Sequence, residues 1–277
     1  MIRYYCSLYC LLVGLTGCNQ ELNRSVAMFE DTKAFRLAKA LGRSDLKRIE
    51  DLVIKDSTLL QITNPESGSN ILSLALHLEN FEAFKKLIEL GADPNFTNPY
   101  TKKSVLIESI KFYENPEPYT IDKRYAKLLL ENGADPNYSI EYSFTDEKGH
   151  FQAATTPLIQ AAKFDIAFVQ LLVRHGANPH KKLEEDQSSA FTSALTGYKD
   201  KFEVILFFID ELKIDPTQPV KKWSENEYLY IQDYVKKYMS YEKGSTSYEQ
   251  REKLVTKLKS MGVDFENYNY KLIKYKE

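Results

Sequence analysis

Cysteine is nearly absent from this 277-residue chain, and the three it has, Cys6, Cys10 and Cys18, crowd into its first stretch. The body that follows has no disulfide available, so its stability must come from packed apolar surface or from a stack of repeated units. Charge of one sign is lacking too: 37 basic residues stand against 39 acidic ones, net −2, which excludes the strongly basic footprint of a nucleic-acid binder. From Lys221 onward the chain is mildly basic and before it mildly acidic, a dipole that a solvated surface explains as well as a partner does. Long apolar runs are missing, and the one near the start, Tyr4 to Leu15, is too short to cross a bilayer. Recognisable chemistry is missing as well. The four histidines, His77, His150, His175 and His180, show no metal-ligand spacing, and no nucleophile elbow, Walker loop or dinucleotide fingerprint occurs. No cofactor, no metal and no catalytic residue is therefore assigned. His175 and His180 flank a turn glycine, where a capping or surface role is expected.

What is present begins at the N-terminus. Arg3, the apolar run and the small residues after it have the layout of a removed export segment. Its end, Leu15-Thr16-Gly17-Cys18, resembles the lipobox of bacterial lipoproteins. The resemblance implies cleavage before Cys18, acylation of its thiol and new amine, and stable anchoring in a membrane. Asn19, where an inner-membrane retention signal would have Asp, resembles outer-membrane lipoproteins, so the expected location is the periplasmic face of the outer membrane. The expected organisation is a signal peptide over 1–17, a tether over 18–30 and a repeat domain over 31–277, with capping helices in about 224–277. Met28 lies beyond the anchor, and an internal start there would release an untethered, cytosolic copy of the repeat domain.

The body is repetitive. Gly91-Ala92-Asp93-Pro94-Asn95 recurs as Gly133-Ala134-Asp135-Pro136-Asn137 and as Gly176-Ala177-Asn178-Pro179-His180. Each copy closes a run, Phe81–Leu90, Tyr125–Leu130 or Ile166–Val173, whose apolar positions fall three and four apart and so predict a helix with one buried stripe. Gly91, Gly133 and Gly176 are placed to adopt positive φ past the helix end, Asp93, Asp135 and Asn178 to shape the turn, and the proline to prevent further helix. Upstream, Thr156-Pro157-Leu158 opens a shorter helix with a capping threonine and proline in its first turn. Together, the Thr-Pro-Leu-x-x-Ala-Ala opening and the Gly-Ala-Asp-Pro-Asn closing resemble the ankyrin repeat.

The resemblance implies an all-α ankyrin-repeat solenoid of about five to six helix pairs, with hairpin finger loops and divergent capping repeats. Further copies open at Asn70-Ile71-Leu72, Ser104-Val105-Leu106 and Ser189-Ala190-Phe191, the last ending near Ile214-Asp215-Pro216. Leu37 to Val53 reads as a degenerate first repeat. Ser224-Glu225-Asn226-Glu227 and Ser247-Tyr248-Glu249-Gln250 read as capping boxes of two last helices ending at Met261-Gly262-Val263-Asp264.

An ankyrin period is about 33 residues, yet successive turn glycines here lie 42 and 43 apart. In the third repeat the excess is a proline-bearing loop, Glu114 to Thr120; in the fourth it is the finger, Tyr138 to Thr155. That finger reads as a β-hairpin, with Tyr138–Phe144 and His150–Gln152 flanking a polar turn. Aromatics on projecting loops favour contact with a partner, although Tyr142 and Phe144 can equally serve to pack the finger onto its neighbours. The candidate contact residues are Tyr100, Lys102, Tyr113, Tyr119, Tyr142, Phe144, Asp146, Glu147, His150, Phe151, Lys163 and Phe164.

Small lipoproteins with few, irregular ankyrin repeats resemble the immunity proteins of type VI secretion phospholipase effectors. That resemblance implies a protein partner, a lipase toxin whose active-site entrance is covered. A scaffold for an endogenous envelope enzyme or complex is the competing reading, and an enzyme assembled from distant Ser, His and Asp residues is a third. For the anchor itself, Cys18→Ser is expected to abolish palmitate labelling and move the protein from the membrane to the soluble fraction. Retention in the membrane fraction would contradict lipidation at this position.

Overall fold

The computed structural model describes residues 24–110, 122–146, 149–198 and 201–272. Cys18, Tyr113, Tyr119 and Glu147 lie outside the described residues, as do the export segment and most of the proline-bearing loop. The chain divides into two compact units, the first holding the residues up to Ser109 together with Asp122–Ala134, the second holding those from Asp135 onward.

The first unit contains three helix pairs among its described residues: α1 (Phe35–Gly42) with α2 (Leu46–Lys55), α3 (Ile71–His77) with α4 (Phe81–Glu89), and α5 (Val105–Ser109) with α6 (Lys123–Glu131). The second contains α7 (Pro157–Ala161) with α8 (Ile166–Arg174), α9 (Ala190–Leu195) with α10 (Lys201–Asp210), and α11 (Ile231–Tyr238) with α12 (Thr246–Ser260). In each unit the first helices of successive pairs pack side by side in one row and the second helices in another. This is the ankyrin arrangement, and six pairs agree with the expected repeat number. No pair could bury its stripe alone; in α4 the stripe is Ala83, Phe84, Leu87 and Ile88, covered on both sides by neighbouring second helices. Tyr125 of α6 meets Phe81 and Phe84 edge to face with centroids 5.2 and 5.0 Å away. Burial of its hydroxyl, which has no partner, pushes the phenol up to about 12.

Helix starts follow the side chains that can satisfy the first free amides. Asn70 accepts from Ser73 N, Thr156 from Ile159 N, Asp165 from Phe168 N and Ser189 from Thr192 N. Helix ends follow the pentapeptide. Gly91, Gly133 and Gly176 have φ of 92°, 87° and 90°, and the alanine after each donates to the carbonyl five residues back, at 2.9–3.0 Å. Asp93, Asp135 and Asn178 then each accept the amide two residues on, at 2.8–2.9 Å. The pentapeptide asparagines reach further: Asn95 Nδ2 donates to the Gly133 carbonyl and Asn137 Nδ2 to that of Gly176, both at 2.9 Å, tying one turn to the next. At α10 a related turn, one residue wider, is made without glycine. Lys213 takes φ 57°, Ile214 N donates to Phe208 O, and Asp215 accepts from Thr217 N.

The structure corrects several expectations. From Arg24 the chain is already a helical turn rather than tether, Phe29 is buried to 1%, and Asn64 Nδ2 donates to the Met28 carbonyl, so the folded body begins before residue 31. Ser224-Glu225-Asn226-Glu227 is no capping box. It is the turn of a hairpin, β3 (Lys221–Ser224) with β4 (Glu227–Leu229), in which Lys221 pairs with Leu229 and Lys222 with Tyr228. The preceding Val220 N also bonds to Leu229 O, so both flanks extend and no helix can start there. The last helix is capped by Ser245, not Ser247: Gly244 turns at φ 89° and Ser245 Oγ accepts from Tyr248 N, which leaves Ser247 inside the helix.

The C-terminal end is fastened by Asp233, fully buried in α11, which accepts from Tyr230 N, Tyr268 Oη and Lys271 N. For the turns, Gly176→Ala should destabilise by about 1 kcal/mol through backbone strain alone, because an added Cβ meets open space. Lys213→Gly should stabilise by about 0.5–1 kcal/mol at the equivalent position. Urea titrations of both variants check the pair of opposite signs.

Candidate functional site

Fingers position the surface side chains, and each is closed at its base by one antiparallel bridge: Thr63–Asn70, Thr97–Ser104, Ile140–Thr155 and Lys182–Ser189. In the first unit, Asn98 Nδ2 donates to Ser67 O at 2.9 Å and Tyr100 Oη to Pro65 O at 2.7 Å, so neighbouring fingers are held together. Tyr100 thus has a scaffolding role in addition to its half-exposed ring. Lys102 occupies a left-handed turn position, φ 57°, at the finger end.

The long finger of the second unit is a hairpin, as expected, but a shorter one. Its ladder is β1 (Phe144–Thr145) against β2 (Phe151–Gln152), followed by the Ile140–Thr155 bridge one residue out of register. The cause is the next finger, which takes the intervening residues out of the ladder. Tyr142 Oη donates to Glu184 at 2.6 Å, Ser143 N and Oγ donate to the two oxygens of Glu185, and Glu141 pairs with Lys181 at 2.5 Å. The Glu184 carboxylate holds the Tyr142 phenol protonated above its usual range. Burial alone would raise Glu141, but the Lys181 ammonium, Ser139 and the Glu184 amide outweigh it and keep its carboxyl low. At the tip Asp146 accepts His150 N at 2.8 Å and contacts His150 Nδ1 at 3.0 Å, so these two candidates fix the turn. Phe144 is half-buried against the finger, whereas the Phe151 ring is 70% exposed.

Between this finger and the hairpin β3–β4 lies a groove of about 360 Å³, entirely within the second unit. It is lined by Ile159, Lys163, Thr192, Thr196 and Tyr234 from the first helices and their ends, by Ser143, Glu185 and Asp186 from the fingers, and by Lys221 and Trp223 from β3. Trp223 is the chain's one tryptophan and is 42% exposed. Beside α7, Phe164 stacks on Tyr198 at 6.1 Å, with the Tyr198 ring 78% exposed. The two carboxylates in the groove are engaged: Glu185 by Ser143, and Asp186 by Lys221 Nζ at 2.5 Å and by Ser188 N. Lys163 differs. Burial and the like charge of Lys221 both push its ammonium below the usual lysine range, and no hydrogen bond or ion pair among the described residues engages it.

Of the candidate contacts, the structure brings Lys163 into this groove and Phe164 to the aromatic patch beside it. Tyr142, Phe144, Asp146, His150 and Phe151 are placed on the adjoining finger. Tyr100 and Lys102 belong to the first unit, apart from this site. Tyr198, Lys221, Trp223, Lys237 and Tyr238 were not anticipated. Alternation of Trp223 and Tyr228 about a polar turn carried a hairpin signal, obscured by the match of Ser224 and Glu227 to a capping box. Among the described residues no cluster of three His, Cys, Asp or Glu side chains could hold a metal ion, and no helix is long and apolar enough to cross a membrane.

No family model and no curated protein matches the sequence. Among solved structures, the chain is similar to the crystal structure of an ankyrin repeat protein, with a TM-score of 0.55 and 19% identity over 86% of this chain and 100% of that one. The fold is that of the ankyrin repeats. At this identity the likeness carries the architecture alone, and no function or partner.

The ion pair on the groove wall generates a pH signature. Burial would raise Asp186, but Lys221 and Ser188 hold its carboxyl below the ordinary range. The stability this adds is present above the unfolded carboxylate pKa of about 3.9 and is lost as pH falls through the lower folded value. Lys221→Met should therefore be less stable than the parent at pH 7, with the gap in melting temperature closing towards pH 2. An unchanged gap across that range would show that the pair contributes nothing.

Proposed function

We propose that this protein is a lipid-anchored binding protein of the bacterial envelope that neutralises a protein partner, a phospholipase effector of type VI secretion, by covering its active-site entrance. The observation that carries the binding part of this reading is the groove of the second unit. Fingers, first-helix faces and the hairpin β3–β4 converge there, with Trp223, Tyr238 and Lys163 turned toward solvent or half-buried rather than sealed in the core. Exposed Trp and Tyr rings are among the residue types that dominate protein interfaces.

The envelope and immunity parts rest on sequence: the Leu15-Thr16-Gly17-Cys18 tetrad and the resemblance of short, irregular ankyrin lipoproteins to immunity proteins. Tethering would suit such a role, because it confines the inhibitor to the surface where a lipid-degrading toxin acts and raises its effective concentration there. A neighbouring gene encoding a Gly-x-Ser-x-Gly lipase is expected. Cells deleted for the present gene should be killed by siblings that deliver that lipase and should be rescued by the full chain. Survival of the deletion strain would reject immunity and leave the scaffold reading.

A further inference from the structure

We infer that the groove of the second unit receives an acidic segment of a protein partner, with a partner carboxylate docking on Lys163 between the finger wall and the Trp223 wall. The inference deepens the binding reading above by specifying the chemistry of the partner, and it does not depend on the partner being a lipase.

Charge complementarity is the argument. Four charged side chains beside Lys163 line the groove: Glu185, Asp186, Lys221 and Lys237. Both carboxylates are already satisfied from within, Glu185 by the Ser143 amide and hydroxyl, Asp186 by Lys221 and the Ser188 amide. Lys237 rests over the Tyr238 ring, 5.3 Å from its centroid. Lys163, by contrast, is half-buried in the groove, shares it with Lys221, and has no counter-ion among the described residues. A partly desolvated cation without a partner is unfavourable in the free protein, and a ligand carboxylate would relieve it. Beside it, Trp223 and Tyr238 are each about two-fifths exposed, offering ring faces to the apolar side chains that flank an acidic residue.

A flat anionic membrane is the poorer occupant. The fingers beside the groove carry Glu184 and Glu185, like charges that disfavour a broad anionic surface there. A single inserted carboxylate avoids them.

Trp223 makes the test direct, because it is the chain's only tryptophan and it lines the groove. Fluorescence of the full chain is titrated with a short leucine-rich peptide carrying one central glutamate, with its glutamine counterpart, and with phosphatidylglycerol vesicles. The acidic peptide is expected to shift Trp223 emission saturably and the glutamine peptide to bind about tenfold more weakly or worse. Lys163→Met should weaken the acidic peptide by about tenfold while Lys163→Arg retains most of the affinity. Because Lys163 is an unrelieved cation in the free protein, Lys163→Met should melt no lower than the parent, which separates lost docking from lost folding. Equal affinity for both peptides, indifference to Lys163→Met, or a response to vesicles alone would overturn the inference. None of these measurements uses an effector, so they succeed or fail independently of the killing assay.

Discussion

A helix pair of this size cannot bury its own apolar stripe, so each one is stable only when neighbouring pairs cover it, and the neighbours must meet in register. The register is set by a few atoms at the end of each second helix. At α4, α6 and α8 a left-handed glycine closes the last turn, the following amide returns to the carbonyl five back, and an Asp or Asn side chain bends the chain outward into the finger. Asn95 and Asn137 then donate to the glycine carbonyl of the following turn, which fixes the spacing between pairs by hydrogen bonds as well as by packing. Everything functional here is carried on that closure. The fingers project because the turn ends the helix sharply, and the first-helix row is left as the floor of a groove because the second helices pack behind it.

Departures from the ankyrin period concentrate where the surface is distinctive. The lengthened finger Tyr138 to Thr155 does not hang free; Glu141, Tyr142 and Ser143 bond to Lys181, Glu184 and Glu185 and brace it against the next finger. At the other side of the groove, the hairpin β3–β4 substitutes for an ordinary finger, joining through Lys222 N to Asp186 O at 2.7 Å and through the Lys221–Asp186 ion pair. The two insertions wall the same recess. Between them stands a lysine whose charge is not answered from within, an arrangement that costs the free protein something and is intelligible as preparation for a ligand.

Much of this was legible in the chain itself. Helix ends were marked by the three pentapeptides, helix starts by Asn70, Thr156 and Ser189, and the divergent first repeat by its apolar spacing, because capping and periodicity act over a few residues and leave a local imprint. The third-repeat loop and the export segment fall outside the described residues. What misled was also local. Ser224-x-x-Glu227 satisfies a capping-box pattern, yet pairing of Lys221 with Leu229 decides the conformation, and such pairing depends on partners that a four-residue motif does not contain. Lys163 was recognisable as a candidate, but its neighbours Lys221 and Trp223 lie on the strand that leads into the turn misread as a capping box, so the groove that joins them was not. The α10 turn was found without glycine because Asp215-Pro216 retains the second half of the pentapeptide; that Lys213 would take the left-handed position was not visible.

The central claim is that the face made of fingers and first helices is where a partner binds, while the second helices are packing. Site-specific photo-crosslinking in cells tests it most directly, with a photoreactive side chain placed in turn at Trp223 and Tyr238 on the groove side, and at exposed Arg174 and Glu249 on the second-helix side. The account predicts one discrete partner adduct from the groove positions and none from the second-helix positions. Adducts from Arg174 or Glu249 with none from Trp223 or Tyr238 would contradict it.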